Sequence, residues 1–240
     1  MILCFGDSIT KGRPGVTYLK YMNNKRQFRN FGLGSDTLTG MTERIIKILK
    51  RPEYYSADTI IIGIGANDIL LPYLKNYSKS WSKVTAAIYL RGSVPCRDEE
   101  HFRFEYRKLL QMLKMQEKKV IVFGIPFIET SENDLDRKAE SYNEIISDLC
   151  SEFSFPYVDI ASHQRYIKEK QHNTGSCFFS KDSLRVLILA ILTTTLPFAD
   201  RVSKKRGLAV TVDGVHMNTV SARGLAGMIE KNIDNCYDIC

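Results

Sequence analysis

The chain has 240 residues, of which 44% are hydrophobic and 25% are charged, a composition that excludes a disordered or fibrous protein. This length fits one α/β domain with a sizeable core, so we predict a single domain over residues 1–240. The formal charge of +7 admits an anionic partner, but lysine and arginine are scattered and their densest cluster covers only residues 204–206. We therefore predict no nucleic acid partner.

The six cysteines favour a reducing compartment. Their spacing contains neither a Cys-x-x-Cys pair nor a metal-binding pattern, so free thiols are the simplest interpretation. No basic and apolar leader precedes the first apolar run, and on both grounds we predict a cytoplasmic protein. The longest apolar stretch, residues 184–198, is interrupted by Arg185 and three threonines and is too short and too polar to span a bilayer.

The chain opens with a predicted strand at residues 2–5, and similar apolar runs at 59–62, 120–123 and 156–160 predict three more. These runs do not alternate with polar residues, which is typical of strands covered on both faces. Apolar residues recurring every three or four positions predict helices at 38–49, 102–115, 137–153 and about 221–233. Alternating strands and helices indicate an α/β fold: a parallel sheet with helices on both faces, in a three-layer α/β/α sandwich.

Polar residues follow the first two strands directly. Ser8 lies in Gly6-Asp7-Ser8 after the first strand, and Asn67 and Asp68 follow the second. Because ligand sites in parallel sheets lie at the carboxyl ends of the strands, we expect these two segments to meet at one edge of the sheet.

A serine hydroxyl becomes a good nucleophile only when a base removes its proton, so Ser8 needs a histidine and an acid that orients it. Of four histidines, only His216 has an aspartate three residues earlier, in Asp213-Gly214-Val215-His216. A tight turn at Gly214 would bring the carboxylate against Nδ1 and leave Nε2 to face Ser8. By itself the motif is more typical of an aspartate that caps a helix beside a surface histidine.

Two further segments are candidates for binding the oxyanion of a tetrahedral intermediate. In the predicted turn of residues 65–68, the Asn67 amide is a candidate donor, while Asp68 is a candidate acceptor of backbone N–H bonds within the loop. The glycine-containing segment 30–37 includes Gly34 and has a composition that permits a nest of backbone N–H groups. By itself, Asn-Asp after a strand is more often just a turn, and the glycine segment alone is a weak signal.

Together and in this order, Gly6-Asp7-Ser8-Ile9, the glycine segment, Gly65-x-Asn67-Asp68 and Asp213-x-x-His216 resemble the SGNH, or GDSL-like, family of serine hydrolases over residues 6–218. The resemblance implies a flavodoxin-like fold without metal or cofactor. It implies that Ser8 is the nucleophile, His216 the general base and then acid, and Asp213 the residue that orients His216. The resemblance also implies three oxyanion-hole donors: the backbone N–H of Ser8, a backbone N–H of the glycine segment and the Asn67 side chain. Asp7 and Asp68 would be structural supports.

Two features depart from the family pattern. Ser35 stands where the family has a glycine that donates its N–H, so either Ser35 or Gly34 is the expected donor. The stretch of about 167–212 is longer than expected before the Asp-x-x-His block. Its apolar part, residues 184–198, is consistent with a core helix, a lid over the acyl pocket or a dimer contact.

The predicted function is hydrolysis of a carboxylic ester through an acyl-serine intermediate, with a lipid, a thioester or an acylated sugar as the small-molecule substrate. An acyltransferase would share the same motifs. A binding module that kept the fold but lost activity is a third interpretation, motivated by Ser35, and a nucleic-acid binder a fourth, motivated only by the charge. The sequence predicts no oligomeric state.

Overall fold

Five parallel strands form the centre of the fold: β1 (Ile2–Gly6), β2 (Phe28–Gly32), β3 (Thr59–Gly63), β4 (Lys119–Phe123) and β5 (Tyr157–Val158). Their order across the sheet is β2-β1-β3-β4-β5, and every neighbouring pair is parallel. The computed structural model describes residues 1–23, 25–131, 133–171, 175, 177, 180–186, 188 and 198–237.

Nine helices have both ends among the described residues: α1 (Ser8–Lys11), α2 (Leu38–Leu49), α3 (Ala66–Tyr77), α4 (Lys79–Leu90), α5 (Glu99–Met115), α6 (Asn133–Phe153), α7 (Ile160–Lys170), α8 (Phe198–Lys205) and α9 (Thr219–Tyr237). Short 3₁₀ turns lie at Tyr18–Tyr21 and Pro52–Tyr54.

The sheet is covered on both faces. All residues of β1 and β3 are buried, because alternate side chains point to opposite hydrophobic layers. Leu3 and Phe5 pack with α2, α3, α5 and α6, whereas Ile2 and Cys4 pack with α1, α7, α8 and α9. The predicted three-layer α/β/α sandwich is therefore confirmed.

Helical periodicity predicted α2 at its observed bounds, because Leu38, Met41, Ile45 and Ile48 recur on its buried face. Helix α5 begins at Glu99, three residues before the predicted start. The Asp98 side chain accepts a hydrogen bond from the His101 N–H at 2.7 Å and caps the helix there.

Other elements differ from the predictions. The strand predicted at residues 156–160 covers only Tyr157–Val158, because Asp159 caps α7 by accepting a hydrogen bond from Ser162 N at 3.0 Å. Strand β2 was missed, since its residues are half-buried or exposed and do not form an apolar run. Residues 65–68, predicted as a turn, lead into α3 at Ala66, where Asp68 lies in the first turn and complements the helix dipole.

The long stretch before Asp213 contains the end of α7 and the whole of α8. Its residues 180–181 contact the junction of α3 and α4, where Ser78 Oγ donates to Lys181 O at 2.7 Å and Trp81 Nε1 donates to Ser180 O at 2.8 Å. Residues 187 and 189–197 of the apolar stretch lie outside the described residues, so the choice among core helix, lid and dimer contact stays open.

The structure bears on the predictions about membrane spans and about the cysteines. Among the described helices, none is both long enough and apolar enough to cross a membrane. Cys4, Cys96 and Cys150 are buried free thiols. Cys240 lies outside the described residues, and nothing is described of the Cys236 side chain.

Candidate active site

The candidate site lies where the strand order reverses direction. From β1 the chain passes to β2 on one side of the sheet and then to β3 on the other. In parallel sheets such a reversal is where the crevice that binds ligands is expected, here at the carboxyl ends of β1 and β3. Ser8 follows β1 and Asn67 follows β3, as predicted from their positions after the apolar runs.

A row of glycines forms the end of the sheet at this crevice. Gly6 is in register with Gly32 of β2 and with Gly63 of β3. A Cβ on Gly6 would overlap the Gly63 carbonyl, and one on Gly32 would overlap the backbone of Lys11 in α1. The bare backbone therefore lets α1 approach the sheet closely, and this approach places its first residue, Ser8, at the crevice.

Ser8, His216 and Asp213 form one continuous hydrogen-bonded chain. Ser8 Oγ lies 2.9 Å from His216 Nε2, and His216 Nδ1 lies 2.7 Å from Asp213 Oδ2. The carboxylate accepts a hydrogen bond from Nδ1–H in the tautomer that leaves Nε2 as the acceptor for the Ser8 hydroxyl. Ser8 retains 8% of its surface exposed, so its hydroxyl is shielded from bulk water.

The turn that carries this pair is held by the aspartate itself. Asp213 Oδ1 accepts hydrogen bonds from Val215 N at 3.1 Å and from His216 N at 2.9 Å. Gly214 has a φ of +93°, a conformation that L side chains rarely adopt. One carboxylate thus orients both the imidazole ring and the backbone that carries it.

Electrostatics support this pairing. Burial lowers the pKa of His216, but the charge and hydrogen bond of Asp213 and the charge of Asp7 together raise it more, so the pKa lies above its ordinary value. Burial raises the pKa of Asp213, whereas attraction to His216 and the accepted hydrogen bonds lower it to a net value below the ordinary one. The site therefore favours an ionised Asp213 that stabilises a protonated His216.

Asn67 and the loop after β2 lie next to each other at the same end of the sheet. Asn67 Nδ2 donates to Asp36 O at 2.9 Å and lies 3.4 Å from Asp7 Oδ2. Leu33 N donates to Gly6 O at 3.0 Å and ties the loop to the end of β1. Ser35 has a φ of +62°, which places a residue with a side chain in the left-handed region.

Two buried acids, Asp7 and Asp68, bind the backbone of the segments around Asn67. Asp7 Oδ1 accepts a hydrogen bond from Ile9 N at 2.8 Å and caps α1. Asp68 accepts from Leu38 N at 3.0 Å and from Cys96 N at 2.9 Å. Burial raises the pKa of Asp7 to about 7 and that of Asp68 to about 6.

Sequence reasoning missed the arginine that holds the loop. Arg44 Nη2 contacts Asp36 Oδ2 at 2.5 Å, and Arg44 Nη1 donates to Phe31 O at 2.7 Å. Asp36 was noted only as part of the glycine segment, and no spacing rule connects it to an arginine eight residues later in α2. The pairing could be found only from the fold.

The sequence profile of the GDSL-like Lipase/Acylhydrolase family matches residues 4–176. The chain belongs to this family. The resemblance stated from the four motifs is thereby confirmed. Asp213 and His216 lie beyond the matched segment, so their placement beside Ser8 is an independent observation of geometry.

Solved structures share the fold of this GDSL-like protein. A GDSL-like lipase from Bacteroides thetaiotaomicron is 13% identical, with a TM-score of 0.59 over 98% of this chain and 88% of that one. A lipase/acylhydrolase from Enterococcus faecalis is 16% identical, with a TM-score of 0.57 over 98% and 95% of the two chains. An acetyl xylan esterase is 16% identical, with a TM-score of 0.60 over 96% and 98%. No curated protein sequence matches the chain.

In the part of this GDSL-like protein that the structure describes, no group of three or more His, Cys, Asp or Glu side chains is arranged to hold a metal ion. The buried acids around the site are instead engaged by backbone N–H groups and by Arg44.

Replacing Ser35 with glycine is expected to increase the free energy of unfolding by up to about 1 kcal/mol, because a Cβ in the left-handed region costs roughly 1–2 kcal/mol and the greater freedom of unfolded glycine offsets part of that gain. Urea denaturation measures the difference. The matched control is Leu33→Gly in the same loop, which relieves no left-handed strain and is expected to destabilise the protein. Destabilisation of the Ser35→Gly variant by as much as this control would contradict the strain argument.

Proposed function

We propose that this protein hydrolyses a carboxylic ester through an acyl-serine intermediate. Ser8 is the nucleophile, His216 is the general base and then the general acid, and Asp213 orients His216. Membership of a lipase/acylhydrolase family supports ester hydrolysis in general. The observation that carries the mechanism is the chain of contacts from Ser8 Oγ through His216 to Asp213, at 2.9 and 2.7 Å.

In the first half-reaction, Ser8 Oγ attacks the ester carbonyl carbon while its proton moves to His216 Nε2. The tetrahedral intermediate collapses when its bond to the alcohol oxygen breaks, and His216 gives the proton to the departing alcohol. In the second half-reaction, water attacks the acyl carbon and gives a proton to His216. The second tetrahedral intermediate collapses when the bond between the acyl carbon and Ser8 Oγ breaks, and His216 returns the proton to Oγ. The acid product leaves and the enzyme is restored.

The proposed oxyanion hole joins three donors: the backbone N–H of Ser8, a backbone N–H at Gly34 or Ser35, and the Asn67 side chain. The support for Asn67 is its fixed position, since its amide is buried and anchored to the Asp36 carbonyl in the loop that carries the second donor. An anchored amide stabilises developing negative charge without reorganising during the reaction.

Replacing Asn67 with alanine is expected to lower kcat by about 10²- to 10³-fold, with a smaller effect on KM, because loss of an oxyanion donor weakens binding of the transition state more than binding of the ester. Steady-state kinetics on a p-nitrophenyl ester measure both constants. Asn232→Ala is the matched control. The hydrogen bond described for the Asn232 amide is local to α9, from Nδ2 to Met228 O. A kcat equal to that of the control would remove Asn67 from the proposed hole.

Covalent trapping tests the proposal directly. The purified protein is incubated with a fluorophosphonate, digested with trypsin and analysed by mass spectrometry, while hydrolysis of short, medium and long p-nitrophenyl esters is followed in parallel. We expect turnover and a single adduct on Ser8 in the peptide of residues 1–11. Heat-denatured protein is the control and should not be labelled. Absence of both turnover and adduct from the folded protein, or an adduct confined to another residue, would overturn the proposal.

The same assay defines the substrate class that we propose, a small-molecule ester of the lipid, thioester or acylated-sugar kind. The chain-length profile separates a short acyl pocket from a long one, and an added alcohol tests for acyl transfer because an acyltransferase would form a new ester. We further propose that the chain is a single domain that works in the cytoplasm. The support for a reducing compartment is that Cys4, Cys96 and Cys150 are free thiols.

A further inference from the structure

A buried carboxylate that the mechanism does not use lies beneath the Asp213–His216 turn. Glu129 follows β4 in the segment that leads to α6, and its exposed fraction is 0%. A glutamate is almost never fully buried unless its charge is compensated. Its partners therefore indicate what the charge is for.

The partners of this carboxylate are the backbone just before Asp213. Glu129 Oε1 accepts a hydrogen bond from Ala209 N at 2.8 Å. Glu129 Oε2 accepts from Val210 N at 3.2 Å, from Thr211 N at 3.1 Å and from Thr211 Oγ1 at 2.9 Å. Lys168 Nζ lies 3.8 Å from Oε1 and balances the charge. Three consecutive N–H groups thus converge on a single side chain.

These contacts continue into the turn itself. Thr211 Oγ1, which donates to Glu129, also accepts a hydrogen bond from Gly214 N at 3.1 Å. On the other side, the backbone N–H of Glu129 donates to Gly214 O at 2.8 Å. Glu129 therefore fixes Gly214 in two ways: its backbone N–H binds the Gly214 carbonyl directly, and its carboxylate binds Thr211, which accepts from the Gly214 N–H. Gly214 is the residue between Asp213 and the segment that ends in His216.

We propose that Glu129 is a positioning residue for catalysis: its carboxylate and backbone fix the turn that holds Asp213 against His216 and His216 against Ser8. This inference rests on the proposed function. A shift of about 1 Å in a catalytic group can cost about a hundredfold in rate, so a residue that fixes the turn acts on the reaction without touching the substrate.

Glu129→Gln is the first test, because glutamine keeps the shape but turns one acceptor into a donor that faces backbone N–H groups. Well below the thermal unfolding temperature, we expect kcat to fall about 10- to 100-fold, with KM changing by less than about twofold. Glu152→Gln is the matched control, since Glu152 pairs with Arg107 on the surface, and it should keep the wild-type kcat.

A second readout separates positioning from general stability and needs no substrate. NMR titration of the His216 ring in wild type and in Glu129→Gln is expected to show the midpoint moved to lower pH in the variant. The charge and hydrogen bond of Asp213 raise the pKa of His216, as does the charge of Asp7 after β1, and a relaxed turn weakens the two contributions of Asp213. A role limited to stability would lower the unfolding temperature without moving this midpoint in the folded protein.

Thr211 offers an independent variant pair in case Glu129→Gln does not fold. Thr211→Val removes the hydroxyl that joins Glu129 Oε2 to Gly214 N, whereas Thr211→Ser keeps it. We expect kcat to fall about tenfold in the valine variant and to remain near wild type in the serine variant. Equal activity of the two would contradict the proposed link through Thr211.

A double variant shows whether Glu129 acts through Asp213. In an Asp213→Asn background, Glu129→Gln is expected to cost much less than it costs in wild type, because the interaction that it positions is already lost. A folded Glu129→Gln protein with wild-type kcat and an unmoved His216 titration would overturn the inference. Failure of the proposed function looks different, since the wild type itself would then neither hydrolyse esters nor react with the fluorophosphonate.

Discussion

Replacing Ser8 with alanine is expected to lower kcat by about 10⁴- to 10⁶-fold and to abolish labelling by a fluorophosphonate, since the variant has no atom that can form the acyl-enzyme. The oxyanion donors and the binding contacts remain, so a low rate above that of water is expected to persist. Single-turnover kinetics with a p-nitrophenyl ester give the most sensitive measurement, because with enzyme in excess the release of p-nitrophenol reports acylation in the wild type and only residual direct hydrolysis in the variant.

The control for this variant is Ser151→Ala on the exposed face of α6, where Ser151 Oγ bonds to Ser147 O within the helix. Both variants should have unfolding temperatures near that of wild type, because each loses only one hydroxyl. Wild-type turnover by Ser8→Ala would exclude Ser8 as the nucleophile and leave the Ser8–His216 contact without a catalytic role.

Replacing Asp213 with asparagine is expected to lower kcat by about 10⁴-fold, the size of loss seen when the orienting acid of a serine protease triad is neutralised. Asparagine can keep the backbone bonds that Asp213 Oδ1 now accepts, so the turn is preserved. It cannot stabilise a protonated His216, and an amide that donates to Nδ1 favours the tautomer with its proton on Nε2. That tautomer cannot accept the Ser8 proton.

The pH dependence gives this variant a second signature. In the proposed mechanism neutral His216 is the base, so activity is expected to fall as pH drops through its pKa. That pKa stands above the ordinary value in the wild type because Asp213, together with the charge of Asp7, outweighs the effect of burial. Removing the carboxylate lowers that pKa, and the acidic limb of kcat/KM is expected to move to lower pH. Asp200→Asn, which alters the acid that accepts from Thr219 N at 2.9 Å, should leave the limb in place. An unchanged limb in Asp213→Asn would contradict the pairing.

The core of the fold could be predicted because its elements obey local rules. β1 and β3 are uninterrupted apolar runs, and α2 repeats apolar residues every three or four positions. β2 could not be found in this way. It is an edge strand with exposed Arg29 and Asn30, and only its pairing with β1 defines it.

In the candidate site too, some residues could be predicted from local sequence patterns and others could be found only from the fold. Ser8 and Asn67 follow buried strands, and Asp213 and His216 are close in sequence, so each could be singled out from local pattern. The support for the site depends on distant contacts: Glu129 binds backbone groups about 80 residues away in the chain, from Ala209 to Thr211. Glu129 does follow the third buried strand, so the rule that found Ser8 and Asn67 could have drawn attention to it.

The row of Gly6, Gly32 and Gly63 has a consequence for how this protein can change its substrate. A side chain on Gly63 would overlap the ring of Phe123, and Gly6 and Gly32 are closed in the same way by their neighbours. At these three positions the site is therefore lined by backbone alone. Neither natural nor laboratory selection can change the substrate by replacing a side chain there. New specificity has to arise in the loops that leave the strands, such as residues 33–37, where Gly34 has open space beside it. Loop 33–37 can therefore vary its side chains while its backbone keeps the proposed oxyanion donor, whereas the glycine row has to stay as it is.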